Sequence, residues 1–101
     1  MAEFSLTTPE QVGQTLALRL RELRLARGFK QATLAARSGV SLASLRRFED
    51  SGRISLRNLL ALAFALHRLD DFDAVLRPPP AASLAEMEAA ETRPARRRGR
   101  I

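Results

Sequence analysis

Within QATLAARSGVSLASLRRFED, residues Gln31 to Asp50, an Ala stands at the fifth position (Ala35), a Gly at the ninth (Gly39) and a Leu at the fifteenth (Leu45). This spacing predicts a helix-turn-helix. Two helices that meet steeply across a short turn leave room only for a small residue at the crossing, and Ala35 fits it. Gly39 falls just past the end of the first helix, where positive φ costs glycine nothing and a residue with a Cβ about a kcal/mol or more. Leu34, Val40 and Leu45 are the expected apolar wedge between the helices. Each residue alone is commonplace in a chain that is 46% hydrophobic. The combination, followed by Arg46, Arg47 and a basic loop, carries the reading.

The rest of the chain reads as helices around this pair. Thr8 can cap a first helix, with Pro9 at its first position and Gln11 completing a capping box. Val12, Leu16, Leu20 and Leu23 form its apolar stripe, with Arg19, Arg21, Arg24 and Arg27 mostly off it, and Gly28 ends it. The second helix spans about Gln31 to Ser38. The third runs from about Leu42 to Asp50 with Ser41 as its cap, and Gly52 terminates it. A fourth follows the cap Ser55 and runs to about His67. Leu59, Leu62, Ala63 and Leu66 line one of its faces, while Leu56, Leu60 and Phe64 make a second stripe. Such a helix is either fully central or packs its second stripe in a homodimer. A fifth helix is expected over Asp70 to Leu76, capped by Asp70, offering Phe72, Val75 and Leu76 to the core or to a dimer partner.

The expected fold class is therefore all-α, a compact bundle of about five helices. Residues 1–7 form an arm, in which Phe4 and Leu6 allow one short strand in an assembly, and 8–77 form the domain. Pro78, Pro79 and Pro80 open a tail over 78–101. In it, Ser83 to Glu91 contains a capping box but few apolar anchors, so a marginal helix that orders on a partner is expected. RPARRRGRI has almost nothing to bury and is expected to be disordered in isolation. It is either a plain solvated end or an added contact to a polyanion.

Composition narrows the function classes. A chain of 101 residues can hold one small domain, or one domain plus a tail. With no Cys and a single His, disulfide frameworks and thiolate or His-cluster metal sites are excluded, and His67 is read as a helix-end residue. No nucleophile and base, metal cluster or phosphate-cradling Gly loop can be assembled, so no enzyme and no cofactor is expected. A net charge of +6 points to a polyanionic partner. The charge is concentrated between Glu10 and Arg57, where Arg and Lys outnumber acids, whereas Arg68 to Glu91 is acidic. No apolar run approaches membrane-spanning length and the N-terminus lacks a signal pattern, so a cytoplasmic location is expected.

In a helix-turn-helix the second helix enters the major groove and its early residues reach base edges. Here those are Ser41, Leu42, Ala43 and Ser44, with Arg46 and Arg47 a turn further on. Arg can grip guanine O6 and N7, and Leu42 or Ala43 can meet thymine methyls. The alternative for either arginine is an ion pair with Glu49 or Asp50, two acids otherwise expected on the far side of the helix as scaffold anchors. Phosphate contacts are expected from Lys30, Gln31, Arg37, Arg53, Ser55 and Arg57.

Residues Leu16 to Leu69, through LRELRLARGFKQATLAARSGVS, LASLRRFEDSGR and SLRNLLALAFAL, resemble the Xre family of helix-turn-helix domains, also called lambda-repressor-like or Cro/C1-type. The resemblance implies a bundle of about five helices in which the Gln at the start of the second helix, here Gln31, contacts DNA backbone. The family usually has Ser or Thr before this Gln. Lys30 in its place removes the usual cap and offers a phosphate contact instead.

The stretch GVSLASLRRFEDSGRISLRNLLALAFALHRLDDFDAVLRPPP, with the basic end after it, is similar to small regulators of the HipB kind, antitoxins and autorepressors paired with HipA-like kinase toxins. That likeness implies a homodimer on a palindromic operator that also docks a kinase, with Asp70 to Glu91 as the dimer or partner surface. Two readings compete with it: a stand-alone Xre-type regulator without a toxin partner, and an RNA- or ribosome-associated basic protein. The absence of Trp and Tyr, which would stack bases, argues against RNA. A protein-only adaptor is disfavoured by Arg46 and Arg47 on the outward face.

Overall fold

The computed structural model describes residues 8–80. Among the described residues there are four α-helices and no strand: α1 (Pro9–Ala26), α2 (Gln31–Ser38), α3 (Leu42–Ser51) and α4 (Leu56–Ala65), followed by a short 3-10 turn (Leu69–Phe72). The expected arm, the Ser83–Glu91 capping box and the arginine-rich end lie outside them.

Local chemistry sets the helix ends. The Gln11 N–H donates to Thr8 Oγ1 at 3.1 Å and the Thr8 N–H donates to Gln11 Oε1 at 3.2 Å, completing the capping box that starts α1. Ser41 and Ser55 cap α3 and α4 by accepting from the Ser44 and Asn58 N–H groups. Each such cap contributes about 1 kcal/mol. Lys30 gives α2 no side-chain cap, as its chemistry requires.

The core gathers where the helices cross: α1 packs on α3, and α2 on both α3 and α4. Leu34, Leu45, Phe48 and Leu62 are the largest fully buried side chains, each stabilising by about 1.5–3 kcal/mol relative to exposure. Ala35 sits buried at the α2–α3 crossing, Leu34, Val40 and Leu45 are buried around it, and Gly39 takes φ 81°. The helix-turn-helix geometry is as its spacing demands.

Gly52, at φ 80°, closes α3 and lies directly under α1. A Cβ on Gly13 would stand 2.7 Å from the Gly52 carbonyl oxygen, and a Cβ on Gly52 would stand 2.7 Å from the Gln14 nitrogen. Gly13, a helix-interior glycine with no evident purpose in the sequence, therefore permits a backbone-to-backbone crossing.

Three expectations need correction. The fifth helix is instead the 3-10 turn followed by non-helical turns; its bonds are of the three-residue kind, from the Asp71 N–H to the Arg68 carbonyl and from the Asp73 N–H to the Asp70 carbonyl. A seven-residue segment followed within two residues by prolines makes too few bonds to offset helix nucleation, and Asp70 caps nothing. Second, α4 is not central. Leu62, Ala63 and Leu66 are buried, but Leu56 and Phe64 are 65% and 69% exposed, because the bundle covers only one side of the helix. Third, Arg24 belongs to the interior, paired with Glu49.

Candidate nucleic-acid interface

The face of α3 away from the core follows from its helical period. Leu45 and Phe48 point inward, Leu42 is half-buried against the core, and Ala43, Arg46 and Arg47 are exposed. Leu42 thus divides its surface between packing and solvent, leaving less of it for a thymine methyl than the sequence suggests. Ser41 accepts from the Ser44 N–H at 3.0 Å and donates its own hydroxyl to Ser44 Oγ at 2.9 Å. The Ser44 hydroxyl proton remains available to point outward.

Ser44 and Arg47 share an open cleft with Arg53, Ile54, Ser55 and Asn58, at the loop leading into α4. The loop is pinned: Ser51 Oγ donates to the Arg47 carbonyl at 2.7 Å and accepts from the Arg53 N–H at 3.2 Å. Asn58 escaped sequence reasoning. The signal was its place three residues after the cap Ser55, whose hydroxyl accepts from the Asn58 N–H. Arg53, Ser55 and Arg57 are exposed, and the cleft brings the first two beside Arg47.

At the start of α2 the expected contact residue Gln31 is half-buried, and its Nε2 donates to Glu49 Oε1 at 3.0 Å. Glu49 is also gripped by Arg24, whose Nε reaches Oε2 at 2.8 Å and whose second terminal nitrogen reaches Oε1 at 2.9 Å. Glu49 therefore anchors α3, as expected of it. Asp50 does not, being exposed on the outward side. Lys30 and Arg37 are exposed, and the guanidinium groups of Arg37 and Arg27 lie over the Phe29 ring at 4.7 and 5.5 Å from its centroid.

Among the described residues the ion pairs are Arg24–Glu49, Arg68–Asp71 and Arg77–Asp73. Arg46, Arg47, Arg53 and Arg57 thus have no carboxylate partner there, so the pairing of Arg46 or Arg47 with Glu49 or Asp50 does not occur. Positive charge on the α3 side exceeds the single outward carboxylate, Asp50, whereas the Arg68–Arg77 segment neutralises itself in part. The apolar residues assigned to a dimer or partner lie elsewhere: Leu56, Phe64, Val75 and Leu76 are exposed, Leu60 and Phe72 half-buried. The described residues include no group of His, Asp or Glu suited to a metal ion, and no helix long and apolar enough to cross a membrane.

Two helices crossing at a small buried residue, a glycine turn between them and a following helix that presents unpaired arginines define a helix-turn-helix DNA-binding module. A family model described as Helix-turn-helix matches residues 20–68. The chain thus carries a helix-turn-helix domain of the Xre, lambda-repressor-like kind over those residues, the domain of DNA-binding transcriptional regulators and not an enzymatic one. A search of curated proteins found no match.

Proposed function

We propose that the protein is a sequence-specific repressor that binds a palindromic operator as a homodimer and serves as antitoxin and autorepressor to a HipA-like kinase. The observation that carries DNA recognition is the outward row of α3, with Ala43, Arg46 and Arg47 exposed and neither arginine paired with a carboxylate. On this reading Ser41, Leu42, Ala43, Ser44, Arg46 and Arg47 meet base edges. Lys30, Gln31, Arg37, Arg53, Ser55 and Arg57 meet phosphates, joined by Asn58, and fix the register. The expected result of selecting duplexes from a random pool with the full chain is one enriched two-fold motif. A pool that stays random would overturn the reading.

The stripe of exposed Leu56 and Phe64 with half-buried Leu60 between them supports the homodimer, since an uncovered apolar face on a small domain marks an interaction surface. Phe64→Glu is expected to convert a sedimenting dimer into a monomer and to abolish joint protection of half-sites about 34 Å apart. A variant that remains dimeric would place the interface elsewhere. The toxin partnership rests on the likeness to HipB-type regulators. A kinase reading frame directly beside this one is its expected genomic signature, and its absence leaves a stand-alone regulator.

A further inference from the structure

We infer that Glu49, held in place by Arg24, is a positioning residue that aims the Gln31 amide at a DNA phosphate. The inference rests on the DNA-binding reading above and adds to it a residue that touches no DNA itself.

The chemistry is one of forced orientation. A carboxylate only accepts, so the group Gln31 turns toward Glu49 must be its Nε2, and the amide has one orientation instead of two. One Nε2 proton goes to Glu49 Oε1 at 3.0 Å. The second remains for a ligand. Had the amide flipped, its oxygen would confront an approaching phosphate with negative charge. Gln31 is half-buried, so its outer edge is reachable while its inner edge is fixed.

Glu49 can do this only because it is itself immobile. Its side chain is 4% exposed, and Arg24 clasps both its oxygens, at 2.8 Å and 2.9 Å. Arg24 also donates to the Phe29 carbonyl at 2.9 Å, which fixes the chain two residues before Gln31. The same cation offsets the Glu49 charge, which would otherwise repel a phosphate. The uncapped first turn of α2 leaves its backbone N–H groups open beside the second Nε2 proton. One anion can then take both kinds of donor, and a structural ion pair becomes the aiming device for a contact made by a neighbouring helix.

The test is a double-mutant cycle with the full chain on the duplex that it enriches from a random pool. Gln31→Ala is expected to weaken binding about tenfold, and Glu49→Gln to weaken it about three- to tenfold in the wild-type background but less than about twofold beside Gln31→Ala. A merely structural Glu49 would cost the same factor in both backgrounds, which would overturn the inference while leaving DNA binding intact. A wild-type chain that enriches no duplex would overturn the underlying reading as well. So that the test does not depend on the folding of Glu49→Gln, the side-chain amide of Gln31 is also read by NMR in the unmodified protein, against exposed Gln14 as the reference. A restricted Gln31 amide whose outer proton shifts on adding the duplex is expected. An amide as mobile as that of Gln14 would refute the positioning role.

Discussion

Replacing Arg46 and Arg47 together with alanine is expected to cut affinity for the preferred duplex by two orders of magnitude or more, while affinity for a random duplex falls far less. The size follows from the chemistry of base reading, since a bidentate arginine–guanine pair discriminates by about 1–3 kcal/mol, a factor of about 5 to 150. Phosphate contacts behave differently. They add affinity on every sequence and steepen the salt dependence by about 0.9 for each phosphate neutralised.

The two arginines separate on this criterion. Arg47 borders the cleft with Arg53, Ser55 and Asn58, the surroundings of a phosphate, while Arg46, also exposed, does not line it. Quantitative titrations of the single variants on both duplexes, at several salt concentrations, assign each residue. The one whose loss spares the random duplex reads a base. Equal losses on both duplexes for both variants would remove α3 from sequence recognition.

The second large effect is on stability. Gly39 and Gly52 share nearly the same backbone, φ 81° and 80°, but only Gly52 is crowded. A Cβ on Gly39 meets nothing within 4 Å, whereas on Gly52 it would lie 2.7 Å from both the Gln14 nitrogen and the Gly13 carbonyl carbon. Gly39→Ala is therefore expected to cost only the left-handed penalty, about 1–2 kcal/mol. Gly52→Ala adds the cost of pushing α1 off the end of α3, about 1–3 kcal/mol of overpacking or more. In a domain this small, whose whole stability is of order 0.05–0.15 kcal/mol per residue, that sum removes a large share of the stability. Urea midpoints of the two variants make the comparison. Equal midpoints would mean that the α1–α3 crossing yields easily and does not fix the tilt of the recognition helix.

The helix-turn-helix was legible because its determinants are local. Ala35, Gly39 and Leu45 act within one turn of their neighbours, and the caps Thr8, Ser41 and Ser55 act within three residues. What the sequence hid depends on distant partners. Arg24 follows Leu20 by one helical turn and so shares its buried face, but its charge suggested solvent; only Glu49, 25 residues away, explains its burial. Glu49 and Asp50 looked equivalent, and helical phase alone separates the buried anchor from the exposed acid. The second stripe of α4 was visible as Leu56, Leu60 and Phe64. Whether a core covered it depended on how few helices the described domain has. The segment after Arg68 had a cap residue and apolar anchors but too little length, so local turns prevailed over a fifth helix.

On the proposed function, α3 reads duplex DNA. Its most direct test is an equilibrium titration of the full chain against the duplex it enriches, a scrambled duplex of equal length, and RNA of the enriched sequence. The enriched duplex is expected to bind at least about a thousandfold more tightly than the scrambled one at physiological salt, with RNA no better than the scrambled DNA. Equal affinity for all three would contradict it, and would reduce the exposed arginines of α3 to a nonspecific polyanion surface.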